Sequence, residues 1–182
     1  MNIKVLGCQP LRRELYALAA LSPHEVALDL LSPDSPLELI QQKINAEIKA
    51  DYIVLAMGEC TAQNLCSADR PLVIARVHNC AHLLLGSTER FHQVFSENED
   101  APCWQMSPQC LKCMPHCGVP CMVASALSGP IAVPEPGVRE YVADLSLLKK
   151  LINGAWDEDI LVVAPHNRIV ADPVEILSSE PV

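Results

Sequence analysis

Tyr52-Ile53-Val54-Leu55-Ala56-Met57-Gly58-Glu59-Cys60 is a nine-residue stretch in which six largely apolar residues lead into a glycine, an acid and a cysteine. Tyr52 to Met57 run without a polar interruption. A strand with one wet face alternates polar and apolar residues, whereas a strand covered on both faces does not. The run therefore reads as the interior of a parallel sheet, closed by a tight loop at Gly58-Glu59-Cys60-Thr61. Two other stretches repeat the design. Ile3-Lys4-Val5-Leu6-Gly7-Cys8 and Leu72-Val73-Ile74-Ala75-Arg76-Val77-His78-Asn79-Cys80 each carry a cysteine at or beyond the end of an apolar run. Parallel neighbours would bring the thiols of Cys8, Cys60 and Cys80 to one edge of one sheet. Open α/β sheets bind ligands at that edge.

The segments between these runs have helical or strand spacing. Leu11, Leu15, Leu18 and Leu21 mark a helix, and Glu25 to Leu31 reads as a strand after the Ser22-Pro23 turn. Ser35-Pro36-Leu37-Glu38 is a helix start, with Ser35 as N-cap, Pro36 at the first helical position and Glu38 closing a capping box. Its stripe is Leu37, Ile40, Ile44 and Ile48. Cys80 to Phe95 is helical in pattern, with Leu84, Phe91 and Phe95 inward and a possible break at Gly86-Ser87. Leu145, Leu148, Leu151 and Ile152 form another stripe stopped by Asn153-Gly154, and Ile160 to Val163 is a last strand. The expected fold is α/β, a doubly wound, mainly parallel sheet with flanking helices. The simplest right-handed strand order for the first four strands is 2-1-3-4.

The chain of 182 residues suits a single α/β domain over 1–182, with 96–137 as a Cys/Pro-rich insertion or long loop within it. Half of its residues are hydrophobic and its formal net charge is −9, so a basic footprint for nucleic acid is missing. No apolar stretch approaches the roughly 18 residues that span a bilayer, so no membrane partner is expected. The N-terminus carries no basic and apolar leader pattern, and a cytoplasmic location is the expectation. Nine cysteines in such a chain point to metal or redox chemistry rather than structural disulfides.

Four of them form a second constellation, Cys110-Leu-Lys-Cys113-Met-Pro-His116-Cys117-Gly-Val-Pro-Cys121. On a continuous helix they would make a core stripe, but Pro115, Gly118 and Pro120 oppose such a helix. A loop wrapped on a metal is the better account. The C-x2-C-x3-C-x3-C spacing differs by one residue from the bacterial ferredoxin run. The metal is either a separate [4Fe–4S] cluster or a structural zinc. Cys66 reads as a core residue, Cys103 as an outlier, and His82 and His92 as structural. Neither a Gly-rich phosphate loop nor a serine nucleophile elbow is present.

Gly7-Cys8 through Leu15, Met57 through Cys60, Leu72 through Phe91, and Asp144 through Trp156 together resemble the domain-of-unknown-function family numbered 1638. The resemblance covers nearly the whole chain except about 105–137. The family pattern has a cysteine at each position matched by Cys8, Cys60 and Cys80, and a histidine at His78. This chain departs from it at Asn79, where the family usually has Asp, and at Ala164-Pro165-His166, where a Pro-Pro-Gly-like turn is usual. The family has no settled activity. Its frequent proximity to corrinoid methyl-transfer systems implies one-carbon metabolism and a corrinoid or redox partner protein only by association.

The metal set is expected to be Cys8, Cys60 and Cys80 at the sheet edge, plus Cys110, Cys113, Cys117 and Cys121. Three thiolates leave a coordination position open, as catalytic sites need. That position is for His78 or substrate. Three separated cysteines around a cluster are similar in logic to quinolinate synthase, by analogy only. Glu59 is a candidate acid/base and His78 a fourth ligand or a residue behind the ligands. Arg76 is a candidate clamp for a carboxylate or phosphate. The leading expectation is one or two [4Fe–4S] clusters, in an enzyme that transforms or reductively activates a small metabolite in one-carbon, corrinoid or sulfur metabolism. The alternatives are zinc-dependent methyl or thiol transfer, a non-catalytic accessory that delivers a metal or cofactor, and a sensor with reversible disulfides.

Overall fold

The structure is a computed structural model that describes residues 1–32, 35–77, 80–96 and 143–170, with the main chain alone at Cys60, Ala81 and 94–96. Strand β1 (Asn2–Cys8) leads through a 3-10 turn (Gln9–Leu11) into α1 (Arg12–Ala20). Pro10 lies in that turn, and its missing N–H ends the strand ladder there. Then come β2 (Glu25–Leu31), α2 (Leu37–Ala46), β3 (Tyr52–Ala56) and the short α3 (Glu59–Ala62). After β4 (Leu72–Ala75) follow α4 (Cys80–Leu85) and α5 (Thr88–Ser96), then α6 (Ser146–Asn153) and β5 (Ile160–Val163).

The sheet order is β2-β1-β3-β4-β5. β1 pairs in parallel with β2 and β3, and β3 in parallel with β4. The expected 2-1-3-4 order and doubly wound class are therefore observed. β5 joins antiparallel, with Ala75 opposite Ile160 and Leu72 opposite Val163. Ile53, Val54, Leu55 and Ala56 are all fully buried, as the unbroken apolar run requires. Right-handed crossovers in opposite directions put α1 and α2 on opposite faces. α1 and α6 pack together, and α6 also rests on β3 and β4.

Gly7 fixes how closely α1 lies on the sheet. A Cβ there would collide with Leu15 Cδ1, and Leu15 is fully buried. The expected break at Gly86-Ser87 is present: α4 stops at Leu85 and Gly86 takes a φ of +80°. Gly154 ends α6 in the left-handed region, at a φ of +68°.

Four local expectations are corrected. α2 begins one residue later than the capping box implied. Its cap position is Pro36, which has no side-chain acceptor, while the Ser35 N–H donates to Ser32 O at 2.9 Å. α2 ends at Ala46, so Ile48 falls off the stripe and is 70% exposed. The Glu47 carboxylate stops the helix by accepting from the Lys49 and Ala50 N–H groups, at 2.8 and 3.1 Å. Leu21 lies one residue past α1, where the helix has ended, and is exposed. Cys66 is half-buried rather than core. Its N–H donates to Gln41 Oε1 at 3.1 Å and its carbonyl accepts from Gln41 Nε2 at 2.6 Å, which pins it beside α2.

Candidate metal centre

The site lies where the parallel strands end. β1 and β4 are not neighbours; β3 stands between them. Two sheet spacings separate them by about 9.6 Å. Yet Cys8 Sγ and Cys80 Sγ lie 3.7 Å apart. Cys8 is the last residue of β1 and Cys80 the first of α4, after the loop that follows β4. The chain that follows β4 therefore brings Cys80 back toward the end of β1. The chain leaving β3 passes through Gly58 and Glu59 to Cys60 at the head of α3. The Glu59 N–H donates to Val77 O at 2.8 Å, which ties the loop after β3 to the loop after β4.

Cys8, Cys66 and Cys80 carry reduced thiols. Cys8 is only 5% exposed, and Cys80 is half-buried. The pair therefore has one sheltered and one accessible sulfur. A tetrahedral ion about 2.3 Å from each of two thiolates holds those sulfurs about 3.8 Å apart. The observed contact fits that requirement without displacement. A [4Fe–4S] cluster instead takes its cysteines on separate irons, which places them farther from one another.

Two carboxylates flank this edge. Glu59, read from sequence as a candidate acid/base, is buried, so its carboxylate is not a solvated loop group. Glu14 is 2% exposed and lies in the first turn of α1. Sequence reading missed it. The available signal was its place three residues after Leu11 and beside Leu15, on the stripe that faces the sheet. Arg76 is exposed, and its N–H donates to Asp159 O at 2.8 Å, joining the end of β4 to the approach of β5.

His78 lies outside the described residues, as do the side chain of Cys60 and all of Cys103, Cys110, Cys113, Cys117 and Cys121. Among the described residues, no group of three or more His, Cys, Asp or Glu side chains is spaced to hold a metal ion. The sheet edge thus has two thiols in contact, and the third candidate lies in α3, which follows β3. His82 is buried in α4 and stacks on Phe91 with centroids 4.4 Å apart, which agrees with a structural role. No helix among the described residues is long and apolar enough to cross a membrane.

The model of the family described as "Protein of unknown function (DUF1638)" matches residues 32–124. The matched span contains Cys60 and Cys80, begins after Cys8, and includes 105–124, which the sequence resemblance had set aside. No curated protein and no solved structure matches the chain.

Proposed function

The chain belongs to the DUF1638 family, proteins of unknown function. We propose, from the geometry of its thiols, that it holds a thiophilic metal ion at the C-terminal edge of its sheet. Cys8 and Cys80 are two of its ligands and Cys60 is the third. The observation that carries the reading is the 3.7 Å contact between the sulfur that closes β1 and the sulfur that opens α4. Zinc is the ion that suits two or three thiolates at tetrahedral spacing. When bound, it supplies a Lewis-acidic position that keeps a thiol ligand deprotonated at neutral pH.

The protein residues then have separate tasks. Cys8, sheltered at the strand end, anchors the ion, and Cys80 forms the accessible side. Glu59, buried where α3 begins after β3, is the residue we assign to proton exchange with a small molecule. Arg76, exposed just past β4, is the residue we assign to an anionic group of that molecule. The substrate class is a small thiol or another soft-donor metabolite, and the reaction class is thiol or methyl transfer.

A second reading rests on the C-x2-C-x3-C-x3-C spacing of Cys110, Cys113, Cys117 and Cys121. We propose a [4Fe–4S] cluster at this run, serving as an electron relay or staple. A cluster at the sheet edge, the leading expectation from sequence, remains the competing proposal there. Metal analysis of anaerobically prepared full-length protein separates the three. The expected result is about one zinc per chain, lost in Cys8→Ala and Cys80→Ala and retained in Cys66→Ala, with any iron lost only in Cys113→Ala. Iron lost in Cys8→Ala would favour the cluster at the edge. Metal content unchanged in Cys8→Ala and Cys80→Ala would overturn the site.

A further inference from the structure

We propose that Cys8 and Cys80 form a dithiol–disulfide pair, an oxidation site for low-molecular-weight disulfides. The proposal rests on the sulfur contact and stands apart from the metal reading. The two sulfurs are 3.7 Å apart although 72 positions separate the residues in sequence. A disulfide bond is about 2.05 Å long, so closure needs a relative movement of about 1.7 Å. Both residues sit at element ends, Cys8 closing β1 and Cys80 opening α4.

Their unequal exposure assigns the order of events. Cys80, half-buried, is the sulfur that a solute reaches; Cys8, 5% exposed, is the resolving sulfur behind it. With oxidised glutathione, the Cys80 thiolate attacks one sulfur of the solute. The solute S–S bond breaks, and one glutathione leaves as a thiolate that takes up the proton given up by Cys80. The Cys8 thiolate then attacks Cys80 Sγ, and the second glutathione leaves in the same way. Two protein thiols lose two electrons in all, and one solute disulfide is reduced to two thiols. Reduced glutathione reverses both exchanges. The oxidised pair has no thiolate to offer a metal, so oxidation empties any site that depends on it.

Cys66 provides an internal control. It is held beside α2 by both polar atoms of the Gln41 amide, away from the strand ends. The test incubates metal-chelated full-length protein in glutathione buffers of rising oxidised fraction. Remaining thiols are then alkylated and the peptides mapped by mass. The expected result is a Cys8–Cys80 cross-linked peptide that becomes the majority species, in the natural chain and in Cys66→Ser alike. Cys8→Ser should instead stop at a glutathione adduct on Cys80. Both cysteines alkylated at every ratio would overturn the proposal. So would a lasting adduct on Cys80 in the natural chain, or pairing of either cysteine elsewhere. A chain that cross-links but binds no zinc removes the metal reading alone. A chain that binds zinc through both residues yet never cross-links removes this inference alone.

Discussion

Cys8 and Cys80 were legible as single residues because each stands at or beyond the end of an apolar run; their contact was not, because β3 stands between β1 and β4. Glu14 was not legible, because a charged residue on a leucine stripe reads as an interruption of it. Its burial shows that it belongs to the inward face. Glu47 has the opposite character: an ordinary-looking charge with a defined local task. The Lys49 N–H, first, holds its carboxyl below the usual value of 4.5, with Ala50 N–H and the nearby lysines adding to the effect. A folded-state pKa below the unfolded one contributes stability that is fully present above the unfolded value. That contribution disappears as pH falls through the folded value. Glu47→Gln should therefore lower stability near neutrality and leave it nearly unchanged well below pH 4. Denaturation of both chains across that range checks the sign; an equal difference at all pH values would contradict it.

At the scale of elements, the helices were legible in their middles and not at their ends. Ile40 and Ile44 lie fully buried where the stripe put them, while Leu37 and Ile48 are exposed. Periodicity reports the face that packs, but a terminus depends on which polar group takes over a backbone partner. Pro36, Glu47 and Gly154 decide those ends, and each acts through one local contact or dihedral. The two left-handed glycines differ in how much an added methyl would cost. At Gly86 a Cβ would come within 2.7 Å of the Asp144 Cβ and 3.0 Å of its carbonyl oxygen. At Gly154 it would come within 2.7 Å of Met1 Cε, the end of a flexible, exposed side chain that can move away, and within 3.2 Å of His24 Nε2, a side-chain atom that need give by only a few tenths of an ångström. The left-handed conformation alone costs a non-glycine residue about 1–2 kcal/mol. Gly154→Ala should lose about that much, and Gly86→Ala clearly more, because main-chain atoms of Asp144 must also shift. Equal losses in paired denaturation curves would contradict the reading of the α4–α5 break as tightly packed against Asp144.

At the scale of the whole molecule, the apolar runs gave the parallel core and its order. The direction of β5 was not available from them. Its four residues carry no directional information, and the chain between β4 and β5 is long enough to return either way. The antiparallel return has a consequence for the site. It brings the start of β5 to the same edge as the ends of the parallel strands, and Asp159 thereby meets the main chain of Arg76. The thiol pair is likewise a property of the whole sheet. The end of β1 meets the start of α4 past the end of β3, whose following loop is bonded to the loop after β4. The proposed zinc site rests on this convergence. X-ray absorption at the zinc edge of the zinc-loaded full-length chain tests it most directly. At least two sulfur neighbours at about 2.3 Å are expected. One of them should be lost in Cys80→Ser and one in Cys8→Ser. A zinc environment of nitrogen and oxygen only, or a sulfur count unchanged in both variants, would contradict it.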